Sequence, residues 1–212
     1  MRGSGRPVNM RRRMAVVLLA GCSACASPPP AGPSAPVSSP SVSASPASVQ
    51  VPYRIEVRAD VSDVEEVVVS TLTDPRGWQR AGFSLVRAAD APYVIVLAEP
   101  DEVDRLCLPY ETYGLYSCQN GPVVALNADR WRTATPEWTG DLATYRRMLV
   151  NHEFGHLLGQ RHPPRPQCPV PGEPALVMSQ QSTELDGCLP NPWPLPGEVA
   201  RAAQHDLPLA PP

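Results

Sequence analysis

One segment in the C-terminal half, HEFGHLLGQRH at positions 152–162, constrains the fold more than any other part of the sequence. It holds three of the chain's four histidines. On a helix, His152 and His156 lie one turn apart and face the same way, so both imidazoles can reach one ion. Gly159 favours the left-handed turn that ends a helix, after which the chain can bring His162 back. The segment therefore predicts a helix that ends beside a metal site.

The residue types of this segment favour a catalytic zinc ion. Zinc binds imidazole nitrogens tetrahedrally, and a catalytic site leaves the fourth position to water. We predict one Zn²⁺ held by His152, His156 and His162. Glu153 is offset around the helix, so its carboxylate can face that water as a general base without binding the metal. A purely structural zinc would have no use for this carboxylate, and three unrelated histidines would rarely show this spacing.

The pattern HExxHxxGxxH resembles that of the metzincin zinc peptidases, which place a methionine turn beneath the zinc. Ala-Leu-Val-Met-Ser at 175–179 fits such a turn, with Met178 as its methionine. The resemblance implies a minimal metzincin-like zincin of the α+β class. Its twisted mixed sheet would have about four to five strands, with an active-site helix, one further N-terminal helix and a short C-terminal helix. Residues 151–181 look most similar to an uncharacterised family of exported actinobacterial metzincin-like proteins.

The chain departs from the metzincin pattern just after the turn. Some metzincins have a tyrosine two residues after the turn methionine, where it stabilises the oxyanion, and here that residue is Gln180. The stabilising group therefore stays open. The candidates are zinc alone, Gln180, or one of three loop tyrosines, Tyr110, Tyr113 and Tyr116.

Hydrophobic periodicity outlines the folded domain. Alternation predicts a first strand at 53–58, and a capping box formed by Ser62 and Glu65 predicts a helix that stops before Pro75. Later elements are strands at 83–87, 93–98 and 123–126, and helices at 141–158 and 198–207. The strand at 93–98 is almost entirely apolar, which predicts a central position in the sheet.

The N-terminus has the features of an export signal. Residues 1–21 combine three consecutive arginines with a short apolar stretch and end in Leu-Ala-Gly before Cys22, which resembles a bacterial lipobox. We predict a lipoprotein signal peptide, with acylated Cys22 holding the protein on the outer face of the cytoplasmic membrane. Plain secretion after cleavage near Cys25 is the alternative. Residues 22–50, rich in Pro, Ser and Ala, predict a disordered linker, which leaves 51–212 for the peptidase domain.

Four cysteines fall within that domain: Cys107, Cys118, Cys168 and Cys188. They allow three pairings, of which nearest-neighbour pairing, Cys107 with Cys118 and Cys168 with Cys188, closes short loops and is the one we favour. The net charge of −3, with arginines clustered only at the N-terminus, indicates no nucleic-acid partner. We expect a monomer.

Together these features predict an extracytoplasmic zinc metalloendopeptidase that acts on a peptide or protein substrate. Two alternatives remain open. One is a non-catalytic zinc-binding surface lipoprotein with a metzincin-like fold, and the other is a zinc amidase that acts on cell-wall peptides.

Overall fold

A five-stranded mixed β-sheet forms the centre of the computed structural model, which describes residues 48–204. Its strands are β1 (Val49–Val57), β2 (Phe83–Arg87), β3 (Tyr93–Ala98), β4 (Cys118–Asn120) and β5 (Val123–Asn127). Their order in the sheet is β2-β1-β3-β5-β4, and only β4 runs antiparallel to its neighbour. The predicted α+β class and the number of strands are confirmed, and β4 lies at one edge of the sheet.

Helices pack on both faces of this sheet. They are α1 (Val64–Leu72), α2 (Pro100–Cys107), α3 (Ala128–Thr133), α4 (Leu142–Leu157) and α5 (Pro196–Ala202), with a 3-10 helix at Trp78–Ala81. No pattern in the sequence predicted α2, α3 or β4. These elements have eight, six and three residues, which is too short for a periodic pattern to stand out.

The central strand β3 is buried along its whole length, as its apolar sequence predicted. Tyr93, Ile95 and Leu97 face the larger core, which also contains the buried residues of α1 and α4. The alternate residues Val94 and Val96 belong to a smaller cluster with α2. Because a strand alternates its side chains between two faces, covering both faces requires apolar residues throughout.

The predicted capping box at the start of α1 is wrong. The N-cap is Asp63 rather than Ser62, and its side chain makes no capping hydrogen bond. The Asp63 carboxylate instead accepts hydrogen bonds from Trp131 Nε1 at 3.0 Å and from Arg146 Nη1 at 2.6 Å. Contacts with α3 and α4 have therefore replaced the local cap.

Other predicted boundaries also shift. The first strand begins at Val49, inside the predicted linker, because Val49 and Gln50 pair with Phe83 and Ser84 of β2. The last helix begins at Pro196 rather than Glu198, since proline suits the first turn of a helix. The predicted signal, Cys22 and most of the linker lie outside the described residues. Within 48–204, no helix has the length and apolar character needed to cross a membrane.

Candidate metal centre and cleft

Helix α4 carries most of the predicted site residues and is fixed at both ends. The Asp141 carboxylate accepts a hydrogen bond from the Thr144 backbone N–H at 2.7 Å, which caps the N-terminus. At the other end Gly159 adopts a φ of 83°, and its N–H donates to the His156 carbonyl at 2.9 Å. This left-handed turn ends the helix where Gly159 predicted, and the chain then turns back toward α4.

The turn brings the three predicted histidines together. The Nε2 atom of His162 lies 3.1 Å from that of His152 and 3.0 Å from that of His156. One potential ligand atom from each residue lies within 4.8 Å of the other two. His152 is buried, whereas His162 is exposed, so the cluster opens to solvent on one side.

Backbone carbonyls orient the two helical histidines. His152 Nδ1 lies 2.8 Å from the Val177 carbonyl oxygen, and His156 Nδ1 lies 2.9 Å from the Gln160 carbonyl oxygen. A carbonyl oxygen only accepts, so each Nδ1 must carry the proton in these bonds. Both Nε2 atoms then keep a free lone pair, and these lone pairs point toward His162. This is the usual arrangement of histidines that bind a metal.

The geometry of the cluster fits a small tetrahedral cation. With Zn–N bonds of about 2.0–2.1 Å, tetrahedral ligand nitrogens lie about 3.3 Å apart. Burial is the main cause that lowers the pKa of all three histidines, to about 4 for His156. With Nδ1 protonated in His152 and His156, their two Nε2 lone pairs are available to a cation placed between the three imidazoles. The donor set therefore fits zinc.

Glu153 lies beside the cluster and lines the same cleft. It is only 5 % exposed, and burial raises the pKa of its carboxyl to about 8. A carboxyl in such a site takes up and releases a proton near neutral pH. The Glu153 carboxyl therefore lies in the same cleft as the three histidines.

Met178 packs directly under α4, at a glycine within the motif. A Cβ atom added to Gly155 would lie 2.5 Å from Met178 Sδ and 2.9 Å from Trp78 Cζ2. Only glycine leaves room for both neighbours here. Trp78 is further fixed by donating from Nε1 to the Asn151 carbonyl at 2.9 Å. The sequence analysis did not single out Gly155, although a glycine in the middle of a predicted helix is a signal of close packing.

A buried carboxylate holds the methionine turn from below. Glu198, on α5, is 0 % exposed. Its oxygens accept from the backbone N–H groups of Val177 at 3.0 Å, Met178 at 2.9 Å and Leu195 at 2.9 Å. Since the Val177 carbonyl accepts from His152, Glu198 supports a metal-ligand candidate through one residue of backbone. The sequence analysis missed this role, because nothing in the local pattern shows what α5 packs against.

The cluster lies at the bottom of a cleft of about 720 Å³. Residues from the loop before β4 and from β4 itself form one wall, and residues 180–183 form another. Of the candidate loop tyrosines, Tyr110 and Tyr116 line the cleft. Tyr113 lies outside it, and its hydroxyl donates to Glu111.

Two disulfides join the cysteines in the nearest-neighbour pairing that the sequence favoured. Cys107 at the end of α2 bonds to Cys118 on β4, and Cys118 itself lines the cleft. Cys168 bonds to Cys188 and closes a proline-rich loop.

Comparison with known proteins adds a family and a structural similarity. The sequence profile of a family described as protein of unknown function (DUF3152) matches residues 36–189. No curated protein matches the chain. Among solved structures, the chain is similar to archaemetzincin from Methanopyrus kandleri, with a TM-score of 0.42 and 13 % sequence identity. That match covers 74 % of this chain and 95 % of the archaemetzincin chain.

Proposed function

Since the chain belongs to the DUF3152 family, whose function is unknown, we propose its function from the site itself: a zinc-dependent peptidase. One observation carries this proposal. Three imidazole Nε2 atoms converge beside a buried carboxylate at the bottom of an open cleft. A structural metal site is usually closed by a fourth protein ligand, whereas this cluster offers three and opens to solvent.

Each residue of the site would have its own role in hydrolysis. His152, His156 and His162 would hold zinc, which when bound supplies a Lewis acid that activates water at neutral pH. Glu153 would accept the proton of the attacking water and pass it to the leaving amine. Burial raises the pKa of this carboxyl to about 8 in the metal-free site, and a zinc ion beside it would lower that pKa and favour the carboxylate that accepts the proton.

The sheet edge supports a peptide as the substrate. Strand β4 pairs only with β5 among the described strands, so its other side presents unpaired backbone groups. Cys118 and Gln119 of this strand line the cleft that holds the histidines. An extended peptide can add to such an edge through main-chain hydrogen bonds, which would bring its carbonyl groups past the metal site.

We further propose that the protein works outside the cytoplasm, anchored through Cys22. The two disulfides support an oxidising compartment, because disulfides persist there and are rare in the cytosol. The anchor rests on the sequence of residues 19–22 alone.

Metal analysis and a digest of a proteome-derived peptide library test the proposed function. The purified chain should contain one zinc per molecule and cleave a subset of the peptides. Glu153→Gln should keep the zinc and lower cleavage by about 10²–10⁴-fold, because only the base is removed. Glu137→Gln, on the exposed surface, is the matched control and should cleave at the wild-type rate.

Two results would contradict the proposal. Zinc binding without hydrolysis of any peptide would indicate one of the two alternatives instead, the non-catalytic binding protein or the cell-wall amidase. Cleavage by Glu153→Gln at the wild-type rate would remove the assigned base.

A further inference from the structure

Two glutamines beside the cleft hold each other in a defined orientation. The backbone N–H of Gln180 lies 2.6 Å from one side-chain atom of Gln167. A backbone N–H only donates, so that atom must be the oxygen, and the Gln167 amide nitrogen must be the other atom. This nitrogen lies 3.3 Å from a side-chain atom of Gln180, which therefore must be the acceptor, Oε1. The backbone thus fixes both amide orientations, which diffraction alone rarely distinguishes.

Burial and neighbouring backbone groups fix the position of Gln167. It is 6 % exposed, and its own backbone carbonyl accepts from the Ser179 hydroxyl at 3.0 Å. Its side chain has a further contact, from Nε2 to the Pro163 carbonyl at 3.4 Å. Gln167 therefore joins the loop after His162 to the segment after Met178.

The orientation leaves the Gln180 NH₂ group free. Within residues 48–204, no acceptor takes a hydrogen bond from Gln180 Nε2, and Gln180 lines the cleft together with Glu153 and the three histidines. In the sequence, Gln180 comes two residues after Met178. It comes three residues after Val177, whose carbonyl oxygen lies beside His152 Nδ1. A neutral donor is thus available at the bottom of the cleft.

Most other polar side chains around the cleft already use their donors on the protein. Gln119 donates to the Gly121 carbonyl, and Thr183 donates to the Gln180 carbonyl. Gln181 donates to two backbone carbonyls, and Ser182 shares a hydrogen bond with Tyr145. Of the earlier candidates, Tyr110 and Tyr116 also line the cleft as rivals to Gln180, and so does Arg161, whose guanidinium has further donors besides the one near the Gln160 carbonyl.

We propose that Gln180 is a catalytic residue, whose Nε2–H group donates to the scissile carbonyl oxygen as negative charge develops on it, and that Gln167 is its positioning residue. This inference rests on the proposed peptidase function. The water oxygen bonds to the carbonyl carbon, the carbonyl π pair moves to the oxygen, and the water proton goes to Glu153. When the C–N bond breaks, the C=O bond re-forms and the proton passes to the amine. Gln180 transfers no proton and stabilises only the charged oxygen.

The first test compares isosteric variants in steady-state kinetics. Gln180→Glu keeps the shape and the acceptor for Gln167 but replaces the donor by a negative charge, so Gln180→Met, which removes the donor without adding charge, is measured beside it. Loss of one such donor lowers kcat by about 10²–10³-fold, with little change in KM because the interaction forms in the transition state. Tyr113→Phe, at a tyrosine outside the cleft, is the matched control and should keep the wild-type kcat. Tyr110→Phe and Tyr116→Phe remove the rival donors, and a large loss in either one with a small loss in Gln180→Glu would overturn the assignment.

The second test substitutes Gln167 in order to change the orientation of the Gln180 amide. In Gln167→Glu, both carboxylate oxygens accept, so the Gln180 amide should turn its NH₂ group toward residue 167 and away from the cleft. We expect kcat to fall as in Gln180→Ala, and the double variant to show no further loss. Amide proton exchange, followed by NMR on the zinc-free protein, gives a readout that does not depend on activity: the Gln180 NH₂ protons should exchange more slowly in Gln167→Glu.

The outcomes separate this inference from the proposed function. If the wild-type chain hydrolyses no peptide, the peptidase function fails and the inference falls with it. If the wild-type chain is active and both Gln180→Ala and Gln167→Glu keep its kcat, only the inference is overturned. Unchanged NH₂ exchange in Gln167→Glu would likewise overturn the role of Gln167.

Discussion

The bottom of the cleft and its outer wall are built in different ways. The base, which we define as α4, residues 175–179 and Glu198, is buried and held by backbone hydrogen bonds. The wall, residues 108–117 between α2 and β4, exposes Tyr110 by 59 % and Tyr113 by 69 %. The wall lies between the two cysteines of the Cys107–Cys118 disulfide, and hydrogen bonds from Thr112 and Gly114 to Asp104 and from Asn127 to Gly114 also join it to the rest of the molecule.

This contrast assigns different tasks to the two regions. Metal chemistry needs the metal ligands and the catalytic carboxylate to be held within a fraction of an ångström. Buried side chains that are hydrogen-bonded to the backbone provide this precision. A substrate-binding surface needs accessible side chains, and loops on a rigid scaffold supply them. We therefore expect changes in the base to affect folding and zinc affinity together, and changes in the wall to affect substrate binding.

The largest effect should follow from Glu198→Ala. The change leaves three backbone N–H groups without their acceptor in a site that water does not reach. Each buried unsatisfied donor costs about 1–3 kcal/mol, so we expect a loss of about 3 kcal/mol or more in the free energy of unfolding. Urea denaturation of the zinc-free protein measures it, and chelator competition measures the accompanying fall in zinc affinity.

Glu184→Ala is the control for that experiment. Glu184 forms a surface ion pair with Arg165, and exposed pairs contribute only about 0–1 kcal/mol. Equal losses of stability in the two variants would show that the buried Glu198 does not stabilise the region at the base of the cleft.

The second-largest effect should follow from removal of the Cys107–Cys118 disulfide beside the wall. The Cys107→Ala and Cys118→Ala double variant opens a loop with a sequence separation of 11 residues. A disulfide across a loop of this size stabilises by roughly 2–3 kcal/mol, chiefly by restricting the unfolded chain. We expect the melting temperature to fall and KM to rise, with zinc affinity unchanged. A parallel loss of zinc would contradict the separation of wall and base.

Gly155→Ala should cost about 1–3 kcal/mol through overpacking against Met178 and Trp78. If the clash with the sulfur is the cause, Met178→Ala in the same chain should cost less than the two single changes added together. Additive losses in denaturation experiments would indicate that Gly155 acts in another way.

The smallest effect on stability belongs to the exposed tyrosines of the wall. Tyr110→Ala and Tyr113→Ala should each change the free energy of unfolding by less than about 0.5 kcal/mol, since neither side chain is buried. Only Tyr110 lines the cleft, so only Tyr110→Ala should raise KM for a cleaved peptide. Equal KM values in the two variants would remove Tyr110 from the substrate-binding surface.

Local signals predicted the parts of the fold that depend on neighbours in sequence. The alternation and apolar content of 83–87 and 93–98 gave two strands with the bounds that the structure shows. Gly159 marked the end of α4 because only a residue that tolerates positive φ fits there. The Ser62 cap failed for the opposite reason, since the neighbouring Asp63 is bound by residues 68 and 83 positions away in the sequence.

The sequence by itself determined the chemistry that the chain can offer: two histidines and a glutamate with helical spacing, a glycine that turns the chain back toward a third histidine, and cysteines close enough to pair. These depend on covalent spacing and on the period of the helix, which a sequence shows directly. Only the tertiary structure decided what supports and completes the site. Glu198 beneath the methionine turn and Gln167 against Gln180 come from distant parts of the chain, because the buried polar groups of one segment must find their partners wherever packing places them.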